Sequence, residues 1–88
     1  MANHASALKR ARQSEKRRLQ NKAVRTHMRN VIKNVRQVIA QGQVPEAEAA
    51  LVQAMSVLDK AASRGVIHDN KAARHVSRLS RQVQALKS

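Results

Sequence analysis

Apolar residues recur along this chain with the period of a helix, about 100° per residue. Val24, Met28, Val31, Ile32, Val35, Val38 and Ile39 fall on one side of a first segment. Ala47, Ala50, Leu51, Ala54, Leu58 and Ala61 do so in a second, and Ala72, Val76, Leu79, Val83 and Leu86 in a third. The strong helix breakers Gly42, Pro45 and Gly65 stand at only two places between these segments. Three helices are predicted. The first runs from about Ser6 to Gln41 and stops at Gly42. The second opens on Pro45, suited to a first helical position, and ends near Ser63. The third starts after Asp69 or Asn70, either of which can cap it, and ends near Lys87. Short connections make neighbours antiparallel. The small alanines of the second stripe allow close approach, and Met28 and Met55 read as fillers of the core.

The first stripe does not reach the start of its helix. Continued backwards from Val24 it lands on Asn21, Gln20, Arg17, Ser14, Gln13 and Arg10, which cannot fill an apolar core. The bundle should therefore occupy 24–88, while 1–23 forms an arm whose roughly 18 helical residues extend about 27 Å beyond it at 1.5 Å per residue. The fold class is all-α, an antiparallel three-helix bundle with a long protruding first helix.

Charge sharpens this picture. The 88 residues hold 18 Lys and Arg against 5 Asp and Glu, a formal charge of +13. The balance is +10 over residues 1–36, −2 over 37–63 and +5 over 64–88. Such segregation suits a surface that meets a polyanion. On the arm, Lys9, Arg10, Arg12, Lys16, Arg17 and Arg18 point in every direction. Like charges at this density weaken an isolated helix, so the arm should fray in solution and order fully against counter-charge. Further along, Lys22, Arg25, Arg29, Lys33 and Arg36 make a basic face roughly 120° from the core stripe. On the third helix Lys71, Arg74, Arg78 and Arg81 do the same at about 140°. Arg outnumbers Lys by 11 to 7, and its planar fork matches phosphate oxygens in pairs. The chain has no Phe, Tyr or Trp on which unstacked bases could lie, which favours recognition of backbone and shape. Structured RNA and duplex DNA both fit, the latter implying an architectural DNA-binding protein.

Other chemistries find little support. One small domain offers no second lobe to close a substrate cleft, so no enzyme and no small-molecule substrate are expected. Glu46 and Glu48 fall in a helical first turn, where they offset its positive end. His68 and His75 would lie about 10 Å apart on a helix, too far to share a zinc ion, and no Cys completes a site. Hydrogen bonding to RNA or to a loop suits them better, and neither metal nor cofactor is expected. No apolar run approaches the roughly 20 residues that cross a bilayer, and Met1-Ala2-Asn3-His4 lacks the apolar core of a secretion signal. The arm carries only Leu8 and Leu19 as bulky apolar residues, too few to lie on a membrane. A cytoplasmic location is expected.

Two blocks carry a resemblance. Ser14-Glu15-Lys16-Arg17-Arg18, and Gly65-Val66-Ile67-His68 followed by Asn70-Lys71-Ala72-Ala73-Arg74-His75 and Ser77-Arg78-Leu79, resemble the bacterial family of small-subunit ribosomal protein twenty. The start Met1-Ala2-Asn3, the length and the order of helices agree with it. The resemblance implies a structural component of the small ribosomal subunit that binds 16S ribosomal RNA. Its contacts would be the 5′ domain and the lower part of the long penultimate stem, during assembly and in the mature particle. It further implies that Ser14, Lys16, Arg17 and Arg18 touch RNA from the arm, and His68, Asn70, Lys71, Arg74, His75 and Arg78 from the third helix. Charge and position add Lys9, Arg10, Arg12, Lys22, Arg25, Arg29 and Arg81, and make 1–88 a single RNA-binding domain. The stretch 43–48 and most of the second helix carry no distinctive motif and read as packing only.

Overall fold

A computed structural model describes residues 2–88, with side-chain surroundings from His4 onward; the Met1-Ala2-Asn3 opening of the resemblance lies outside the described side chains. Three helices follow one another: α1 (Ala2–Ala40), α2 (Val44–Ser63) and α3 (Asp69–Lys87). The first begins four residues earlier than predicted, and the second one residue earlier, with Pro45 in its first turn. Both ends near glycine close in the same way. Gly42 (φ 73°) and Gly65 (φ 75°) take the left-handed conformation, which an L side chain resists. The N–H of Gly42 donates to Ile39 O and that of Gln43 to Val38 O; the N–H of Gly65 donates to Ala62 O and that of Val66 to Ala61 O. These paired bonds satisfy the last carbonyls of each helix and turn the chain back on itself.

The core is apolar throughout: among the described residues no polar side chain is buried. Met28, Val31, Ile32 and Val35 of α1 meet Ala47, Ala50, Ala54, Leu58 and Ala61 of α2, with Ala72, Leu79 and Val83 of α3 closing the third side. Five of the thirteen buried residues are alanine, so the backbones approach closely and little volume is needed to fill the interior. Leu58, Leu79 and Val35 are its largest fully enclosed side chains. Val24, Val38, Ile39, Leu51, Val76 and Leu86 flank them partly buried.

Three sequence expectations are corrected here. Met55 is 38% exposed and does not fill the core. It lies about 100° around α2 from the middle of the alanine face, and that face leaves no space for a long side chain. Ile67, in the turn before α3 and outside any periodic stripe, is buried instead. The cap of α3 is His68, not Asp69 or Asn70: the Asn70 backbone N–H donates to His68 Nδ1 at 3.0 Å. Finally, Glu46 occupies the first turn of α2 as expected, whereas Glu48 reaches Lys87 at the far end of α3, 3.3 Å away.

Past Val24 the first helix continues alone. Every described residue from His4 to Gln20 is exposed, about 26 Å of unaccompanied helix. The molecule measures 67 × 21 × 13 Å with a radius of gyration of 17.8 Å, where a compact chain of this length would give about 12 Å.

Candidate nucleic-acid interface

The cations are almost entirely unpaired. Among the described residues only Arg18–Glu15 and Lys87–Glu48 form salt bridges, leaving sixteen of the eighteen Lys and Arg without a carboxylate. On the arm, Lys9, Arg10, Arg12, Ser14, Lys16, Arg17 and Arg18 are all exposed. Arg18 is held in a fork by the arm's single carboxylate, its Nη2 donating to Glu15 Oε1 at 2.7 Å and its Nε to Oε2 at 3.1 Å. That hydrogen bonding, and then the guanidinium charge, keep the Glu15 carboxyl below the usual carboxylate range. In full solvent such a pair adds little stability; its effect is to fix the direction of Arg18, whose remaining N–H groups stay free. Ser14, Arg17 and Arg18 share a shallow surface with Asn21 and Arg25 one turn on. Lys9, Arg10, Arg12 and Lys16 are exposed and spread around the rod.

The expected separate basic faces of the first and third helices meet. Arg29, Lys33 and Arg36 of α1 and Lys71 and His75 of α3 line one groove of about 480 Å³, floored by Met28 and Ile32. It opens where it does because α1 and α3 pack on each other far less than either packs on α2. His75 is half-buried in it. Burial first, then the charges of Lys71, Arg36, Arg78 and Arg74, press its imidazole toward the neutral form. Lys22 and Arg25 stand exposed on α1 between this groove and the arm. Arg74, Arg78 and Arg81 continue the outer face of α3, and His68 and Asn70 are exposed at its start. From Lys9 to Arg36 the basic surface follows roughly 40 Å of a single helix.

These features are those of a long cationic ridge with a cationic groove at its base, and the chain's relatives share its whole length. The model of the family described as Ribosomal protein S20 matches residues 2–84. The chain belongs to the ribosomal protein S20 family. Among curated members, "Small ribosomal subunit protein bS20" of Syntrophobacter fumaroxidans is 55% identical over 86 residues, covering 98% of this chain and 100% of the relative. The protein of that description from Nitratidesulfovibrio vulgaris is 58% identical over 83 residues, 94% of this chain and 95% of its own. That from Pseudomonas fluorescens is 51% identical over 88 residues, 100% of this chain and 98% of its own. Family membership thus spans both the arm and the bundle.

Arg64 escaped the sequence reading. It sits past the end of α2, off every helical stripe, yet lines the corner where the arm leaves the bundle together with Arg17. The antiparallel return of α2 was the available signal, since it carries residues just before Gly65 back alongside Val24. Among the described residues no three His, Cys, Asp or Glu gather as a metal site would require, and no helix is long and apolar enough to cross a membrane.

Proposed function

We propose that this chain is a structural constituent of the small ribosomal subunit in the cytoplasm, and that it binds 16S ribosomal RNA directly and bridges two segments of it. The observation that carries this reading is the arm: an exposed helix ringed by cations with one carboxylate among them, on a chain of the ribosomal protein S20 family. Arg and Lys on the arm engage phosphates on one side of the junction. Arg29, Lys33, Arg36, Lys71 and Arg74 engage them on the other, around the α1–α3 groove. The clamp is thus divided between arm and groove rather than between one helix and another. Its two RNA segments are, by the family resemblance, the 5′ domain and the lower part of the penultimate stem. The role is architectural and involves no bond making.

Titration of the chain with folded small-subunit ribosomal RNA at several salt concentrations tests the reading. Neutralising about 6–10 phosphates lowers affinity by roughly 10³–10⁵ between 50 and 200 mM salt. Duplex DNA of random sequence should compete weakly. Equal affinity for that duplex would favour the architectural DNA-binding alternative, and a shallow salt dependence would remove the phosphate clamp.

A further inference from the structure

At the elbow between arm and bundle, α1 faces the turn that joins α2 to α3 across an open cavity of about 750 Å³. Its volume is within the range of sites that hold small ligands. Its lining differs from the rest of the basic surface. Arg17, Gln20, Asn21 and Val24 come from α1, and Arg64 and Val66 from the turn, so two guanidinium groups and two primary amides surround an apolar floor. Asn21 is the one described polar residue between His4 and Ala40 that is not fully exposed. Among the described residues neither amide takes part in a side-chain hydrogen bond, and neither arginine has a carboxylate partner. Phosphate contacts need only the guanidinium groups. Adjacent amides supply a donor beside an acceptor, which is the pattern of a base edge.

We propose that the elbow is a nucleotide-reading site, in which one unstacked nucleotide of the RNA places its phosphate between Arg17 and Arg64 and its base edge against Gln20 and Asn21, over Val24 and Val66. The inference rests on the RNA binding proposed above and adds a base-specific contact to it. Unstacked nucleotides are where proteins read RNA sequence, because duplex RNA hides its base edges in a deep, narrow groove. The molecule has no Phe, Tyr or Trp, and at the elbow the amides and the guanidinium planes are the groups able to do so.

The test uses the full chain and folded small-subunit ribosomal RNA. The double variant Gln20→Ala/Asn21→Ala should bind it roughly 5- to 100-fold more weakly, the value of a lost bidentate base contact, while nonspecific binding to duplex RNA stays unchanged. Chemical probing of the bases should show one position, protected by the parent, becoming reactive. Arg64→Ala should lower affinity and also reduce the salt slope by about one. Both amide positions touch solvent, so thermal melting should match the parent and exclude misfolding as the cause. Parent-like affinity and protection in the double variant, with Arg12→Ala still weakened, would overturn the elbow site and leave the RNA reading standing. An equal loss on ribosomal and nonspecific duplex RNA would also overturn it, by reducing the amides to sequence-independent backbone contacts. A parent that does not prefer the folded RNA overturns both.

Discussion

His75 is surrounded by like charge and partly closed off from water. The groups facing it are Arg29, Lys33 and Arg36 across the groove and Lys71, Arg74 and Arg78 on its own helix, with no carboxylate among them. Its pKa is therefore lower folded than unfolded, so the unfolded chain binds more protons in between. Stability is full above the unfolded histidine value of about 6.5 and falls as pH drops through the folded one. Melting temperature should decline between pH 7 and pH 5, and a His75→Gln variant should lose that part of the decline. A phosphate in the groove reverses the balance, so RNA binding should raise the His75 pKa, which a proton NMR titration of the ring reads directly. The sequence showed that His75 lies beside Lys71, Arg74 and Arg78. It could not show that α1 brings Arg36 alongside, because that requires the packing of two helices nearly forty residues apart in the chain. His68 was hidden for another reason: its ring does the work of a capping carboxamide, which residue-type preferences assign to Asp69 or Asn70.

The first helix is one element with two supports. From Val24 to Ile39 its apolar side packs on α2 and α3, whereas every described residue before Asn21 is exposed. Substitutions should separate along this line. Replacing Arg17 and Arg18 by Ala should leave melting within about 0.5 kcal/mol of the parent while weakening RNA binding and its salt dependence. Replacing Leu79, which is almost fully enclosed, by Ala should cost about 2–5 kcal/mol in a denaturant titration and leave the arm's RNA contacts intact in whatever fraction remains folded. Equal damage to folding from both changes would contradict the protruding arm. This division was legible in the sequence because a stripe that turns from valine and isoleucine to Gln20, Arg17 and Gln13 cannot stay in a core. The second helix was less legible. Its alanine face is real, but with so small an interior Met55 is left outside and Ile67 enters from a turn that has no periodicity.

At the scale of the molecule, the three helices make a small bundle at one end of a 67 Å body and a single cationic rod at the other. The acidic balance of residues 37–63 falls on α2, away from the groove between α1 and α3, so the field is strongest along the two surfaces assigned to RNA. The bundle has an apolar core to hold its helices together, whereas the rod has only local helix propensity against dense like charge. Amide hydrogen exchange over residues 5–20, measured on the free chain and on the chain bound to folded small-subunit ribosomal RNA, tests this most directly. The account predicts nearly unprotected amides in the free arm, slow exchange in the core of the bundle, and strong protection of the arm once RNA is bound. Protection of the arm without RNA, or an arm still exchanging freely in the complex, would contradict it.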